Sequence, residues 1–107
     1  MKVILNKYIP FKGFLAINLF GIVFIKRSRE WWARYGDDDY MKIVLNHERI
    51  HTIQANRYRT KWLAFYTIYL YHWVINLFKY NFNNAAAYYS IPFEIEAFEN
   101  ETNFNYK

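Results

Sequence analysis

The chain has 107 residues, 54% hydrophobic and 23% aromatic, with no cysteine and a formal charge of +5. That length suffices for one domain and one core, and the apolar content excludes an intrinsically disordered chain. Without cysteine there are no disulfides and no thiolate chemistry, so histidine and carboxylate remain as the strong metal ligands. Basic residues are scattered apart from Lys26-Arg27-Ser28-Arg29 and Arg57-Tyr58-Arg59-Thr60-Lys61, so no nucleic-acid partner is expected.

The first stretch, "MKVILNKYIPFKGFLAINLFGIVFIKR", is apolar but interrupted by Asn6, Lys7, Pro10, Lys12 and Asn18, and no small-residue cleavage site follows. It is read as neither a signal peptide nor a spanning helix. Its β-branched and aromatic residues flank Asn18-Leu19-Phe20-Gly21, which suits a type I turn and predicts a hairpin with strands near 12–17 and 21–27. Asp37-Asp38-Asp39 then marks a helix start, since acidic side chains complement its positive end, and the helix is expected over about 38–58. A calcium loop is rejected there, because the Gly and distant Glu of that pattern are missing.

An aromatic helix is expected over about 60–80, ended by "NFNN". Its uncharged run from Trp62 to Phe78 is near the lower limit for a bilayer span. The tyrosines and histidine within it need polar partners, so the expectation is a buried helix, with His72 as a core histidine and membrane-surface contact as the alternative. Pro92 opens a last helix over about 92–101, "PFEIEAFENE". The resulting expectation is one α+β domain over 1–107, with an N-terminal β-hairpin or small antiparallel sheet followed by three helices, cytoplasmic or membrane-associated.

Within the second piece, "KIVLNHERIHTIQANRY" places His47 and His51 four residues apart with Glu48 beside the first. At 100° per residue both histidines share a stripe with Tyr40, Ile43, Val44, Ile50, Gln54 and Tyr58, while Lys42, Asn46, Arg49, Asn56 and Arg59 lie elsewhere. Residues four apart stack one turn above another, so two imidazoles can reach one zinc. Glu48, about 60° round from His51, is too far round to be a ligand but close enough to hold and deprotonate a water. A shuffled chain of this composition contains His-Glu-x-x-His about three times in a thousand, so the motif needs a third ligand to carry weight. Glu94 supplies it: on the last helix it shares a face with Ile91, Ala97 and Phe98, and Glu96 and Glu99 point the other way. One divalent cation would compensate two buried imidazoles and a buried carboxylate together.

"HERIH" followed by "PFEIEAFENE" resembles the zincin metallopeptidases of the gluzincin group, in which His-Glu-x-x-His on one helix is completed by a Glu on a later helix, commonly with a small residue three positions on. Glu94 and Ala97 match that second element. With "NHERIHTIQ" and "AYYSIPFEIEAFENE", and from the hairpin to the C-terminus, the chain is also similar to small bacterial proteins described as metallopeptidases. The resemblance implies a minimal zincin-like core whose edge strand holds an extended peptide or protein substrate. It also implies His47, His51 and Glu94 as zinc ligands and Glu48 as general base. The chain departs from the pattern at Phe98, where many gluzincins have an Asp supporting a ligand histidine; Glu101 or Asn76 are the substitutes considered. Tyr88 and Tyr89 are candidate oxyanion donors by proximity to Glu94. Gln54 is expected to line the cleft or close the stripe. Two further readings stand beside hydrolysis: a catalytically inactive, metal-stabilised peptide-binding module, and a membrane-associated interaction protein.

Overall fold

The computed structural model describes residues 2–9 and 14–107. Among them are three strands, β1 (Lys2–Leu5), β2 (Ala16–Leu19) and β3 (Ile22–Ile25), followed by five helices: α1 (Arg29–Tyr35), α2 (Asp39–Asn56), α3 (Trp62–Lys79), α4 (Asn84–Tyr89) and α5 (Pro92–Asn100). This is an α+β arrangement. The sheet is mixed, in the order β1-β3-β2. β2 and β3 form the expected hairpin, from Ala16↔Ile25 to Leu19↔Ile22, while β1 lies parallel on the other side of β3, from Lys2↔Ile22 to Leu5↔Ile25. Residues 12 and 13 of the expected first strand lie outside the described residues.

The hairpin turn differs from the type I turn expected at Asn18–Gly21. Leu19 pairs with Ile22, so the loop is Phe20-Gly21 alone, with φ of 55° and 89°. Positive φ at both central residues belongs to the primed turns, whose twist matches that of the flanking strands. Gly21 takes this conformation without steric penalty, and Phe20 is held there by edge contacts to Trp62 and Tyr66. Asn18 still joins the turn, its Oδ1 accepting from the Gly21 N–H at 2.9 Å.

Two short helices and the parallel strand were not anticipated. The caps of both helices were legible: Ser28 Oγ accepts from the Trp31 N–H, and Asn83 Oδ1 from the Ala86 N–H. Asp38 occupies the N-cap position of α2 but makes no side-chain cap bond, so the acidic cluster acts there by its charge. Pro92 opens α5 as read. After α3 the chain reverses through Asn81 and Phe82, both in the left-handed region.

Apolar packing falls into two clusters at opposite ends of α2. One joins Val23, Ile25 and Met41 with Trp31, Trp32, Val44 and Leu45, seating the sheet and α1 on the first half of the helix. The other joins Ala55, Phe65, Ile91 and Phe93 with Trp62, Tyr69 and Trp73, seating α3 and α5 on the second half. Between them α2 buries Asn46, His47, Glu48 and His51. The expected stripe is therefore displaced. Tyr40 is exposed, whereas Asn46, read as facing away, is buried because the C-terminal segment folds over it: its Nδ2 donates to the carbonyls of Glu101 at 2.8 Å and Asn103 at 3.0 Å.

The expectation of a buried aromatic helix is overturned. Only Phe65 and Asn76 of α3 are buried among its residues, and Leu63, Leu70, Tyr71 and Phe78 face solvent. The domain is too thin to cover this helix on more than one side. His72 is half-buried against the Tyr71 ring rather than in the core. No helix of the described residues is long and apolar enough to cross a membrane.

Candidate metal centre

α2 brings His47 and His51 onto one side, one turn apart, their rings edge to face with centroids 4.9 Å apart. α5 enters from the opposite side and places Glu94 between them, so that Glu94 Oε1 lies 2.9 Å from His47 Nε2 and 3.1 Å from His51 Nε2. The three side chains are buried, and together they could hold a metal ion. The second Glu94 oxygen accepts from the Tyr69 hydroxyl of α3 at 2.7 Å.

The outward nitrogens decide the chemistry. His47 Nδ1 lies 3.1 Å from a Glu101 carboxylate oxygen, and His51 Nδ1 lies 2.8 Å from Gln54 Oε1. The Gln54 amide nitrogen is occupied in donating to the Phe93 carbonyl at 2.9 Å and to Glu96 at 2.8 Å, so its oxygen is the group facing His51. Both Nδ1 atoms thus carry the N–H, and in a neutral imidazole that leaves the Nε2 lone pair bare. Two lone pairs then converge on one carboxylate oxygen, an arrangement that repels unless a proton or a cation lies between them. Fixing the outer nitrogen with a carboxylate or amide oxygen is the usual way a metal-ligating histidine is oriented.

The protonation pattern has the same origin. Burial disfavours a charged His51, but the hydrogen bond and charge of Glu94 outweigh it and push its pKa up to about 9. Burial likewise opposes ionisation of Glu94, yet the close contacts with His47 and His51, the charge of His51 and the Tyr69 hydrogen bond hold the carboxyl well below the usual carboxylate range. A proton on His51 therefore supplies positive charge between its ring and the Glu94 carboxylate. Glu48, also buried, is different: burial pushes its carboxyl up to about 7 against the pull of His51 and His47, leaving it poised to exchange a proton near neutrality.

Glu48, His51 and Glu94 share one wall of a cavity of about 660 Å³ whose other walls are largely apolar, including Ile17, Phe65, Leu70 and Trp73. β2 forms one side. Asn18 locks it to α2, its Nδ2 donating to the Glu48 carbonyl and to Thr52 Oγ1, both at 2.7 Å. β2 is an edge strand among the described residues. Because Leu15 accepts from the Lys26 N–H, the alternation of an antiparallel pair turns the backbone groups of Ala16 away from β3.

Of the residues considered for supporting roles, Glu101 holds His47, but Asn76 donates to the Ala87 carbonyl and takes no part. Phe98 lies against the His47 ring, centroids 4.4 Å apart. Tyr88 lines the cavity, and burial together with the nearby Glu94 charge keeps its hydroxyl protonated. Tyr89 is exposed. Gln54 neither lines the cavity nor merely closes the stripe; it orients His51. Glu96, read as pointing away, is engaged by Arg57, which holds its carboxyl down to about 2. Tyr69 was missed, although its position one turn after Phe65 on the inward face of α3 was a signal for it.

Comparison of the chain with protein-family models, with curated proteins and with solved structures gives no match.

Proposed function

We propose that this chain is a zinc-dependent metallopeptidase of gluzincin type, with His47, His51 and Glu94 as the ligands and Glu48 as the general base. The observation that carries this reading is the convergence of two Nε2 atoms on Glu94 Oε1 while Glu101 and Gln54 hold both Nδ1 atoms from outside. Two imidazole nitrogens and a carboxylate suit zinc among the borderline divalent cations, and three protein ligands leave a position open. Zinc held there would polarise the scissile carbonyl and make an attacking water more acidic. Glu48, with its pKa near 7, takes the proton from that water and returns it to the departing amine. Tyr88, protonated and in the cavity wall, is the donor available to the developing oxyanion, since the Tyr69 hydroxyl already donates to Glu94. The outward-turned backbone of β2 aligns an extended peptide by strand addition.

The test is elemental analysis after zinc loading, followed by turnover of a peptide library. Wild type should hold one zinc per chain; His47→Ala and Glu94→Ala should lose it. Glu48→Gln should keep the zinc and lose about 100- to 10,000-fold in rate, the usual share of a general base. Undiminished turnover by Glu48→Gln sinks the mechanism.

A second reading, a metal-stabilised peptide-binding module without turnover, is favoured by the way Glu94 already bridges both imidazoles and by Phe98 standing where an Asp is expected. Zinc binding by wild type and Glu48→Gln alike, with no cleavage by either, would select it.

A further inference from the structure

α3 is apolar on two opposite faces. Its inner face packs Phe65, Tyr69 and Trp73 into the core. Leu63, Leu70, Tyr71, Val74, Ile75 and Phe78 form an outer stripe about 140° wide at 100° per residue. All six are exposed, from 40% at Val74 to 71% at Leu63. The stripe continues past the C-terminal end of the helix, where exposed Phe82 lies against Phe78 with ring centroids 5.1 Å apart. An apolar strip of this length on a small protein marks a surface that something covers.

Charge says what covers it. Lys61 stands at the N-terminal end of α3 and Lys79 in its last turn, both exposed and neither paired with a carboxylate among the described residues. No Asp or Glu occurs between Glu48 and Glu94, a stretch that also carries Arg57 and Arg59. A second copy laid on this face would set lysines against lysines. A surface of negative charge over an apolar interior complements both features, and a helix with cations at its ends and bulky apolar residues along one face lies in such an interface rather than across it.

We propose that α3 docks lengthwise on an anionic lipid surface, its outer stripe entering the headgroup–acyl boundary while Lys61 and Lys79 contact the headgroups. The docking rests on α3 and stands whether or not the metal centre is catalytic. Leu70 belongs both to the stripe and to the cavity wall, so the docked protein holds its cavity beside the lipid.

The test is co-sedimentation of the full chain with phosphatidylcholine vesicles, with or without about 30 mol% phosphatidylserine. Wild type should bind the anionic vesicles and bind the neutral ones at least about tenfold more weakly. Leu63→Ser/Val74→Ser/Phe78→Ser should lose binding with its helical circular dichroism retained. Lys61→Glu/Lys79→Glu should weaken binding by about tenfold or more. Failure of wild type to bind either vesicle overturns the proposal, as does binding indifferent to the serine variant. So does a concentration-dependent dimer, without vesicle binding, that the serine variant abolishes, since a second copy then covers the face. If the serine variant does not fold, the lysine variant decides: unchanged binding overturns the proposal.

Discussion

The two long helices, α2 and α3, have 18 residues each and invert the ordinary relation between polarity and burial. α2 carries most of the chain's histidine and buries five polar side chains, Asn46, His47, Glu48, His51 and Gln54; α3 is rich in Leu, Ile, Trp and Tyr and buries Phe65 and Asn76. The reason is position. α2 is central, with the sheet and α1 on one part and α3, α5 and the C-terminal segment on the rest, so even its polar positions are covered. α3 lies on one side and has only one neighbouring layer. Burial of polar groups is tolerated in α2 because each finds a partner, and no buried side-chain nitrogen or oxygen among the described residues lacks one.

Substitutions should separate the two helices sharply. The largest effect is expected from Glu94→Ala in metal-free protein, which strands two buried imidazoles; removing one partner of such a cluster typically costs about 3–5 kcal/mol, measurable by denaturant unfolding. A loss under about 1 kcal/mol would show that the cluster is not coupled as its geometry implies.

Next is the dependence on pH. His51, raised from 6.5 to about 9 by folding, contributes stability that is complete below pH 6.5 and is lost as pH rises through 9. Glu48, raised to about 7, opposes folding increasingly as pH climbs from 4.5 to 7. Both act in one direction above pH 6, so metal-free protein should melt lower at pH 9 than at pH 6. Glu94, held low, contributes stability above pH 4.5 that is lost on acidification, which gives the acid limb. Bound zinc would replace the His51 proton and flatten the alkaline limb, and calorimetry with and without zinc distinguishes the two profiles.

A smaller effect is expected from Asn46→Ala. It leaves the carbonyls of Glu101 and Asn103 without their donor, at about 1–3 kcal/mol, and hydrogen exchange should speed up selectively in the segment after α5. The smallest belongs to α3: Leu63→Ser, at a residue 71% exposed, should change stability by no more than about 0.5 kcal/mol. A larger loss would mean that the outer stripe of α3 is covered in solution, as α2 is.

The order of hairpin, polar helix, aromatic helix and glutamate helix was legible in the chain itself, because turn residues, acidic starts and Pro92 act locally. So was the grouping of His47, Glu48 and His51, since a four-residue spacing on a helix is a local geometric fact. Glu94 could be singled out as the inward carboxylate of its own helix, but not its position between the two imidazoles. That depends on how α5 crosses α2. The parallel pairing of β1, the roles of Glu101, Gln54 and Tyr69, and the burial of Asn46 all join residues at least 20 apart, except for the contact of Gln54 with His51. The uncharged aromatic run from Trp62 to Phe78 marked α3 as apolar but could not say which side of it would be covered. Only the tertiary structure decides that, because burial depends on the number of neighbouring layers, and a chain this short has enough to enclose α2 and too few to enclose α3.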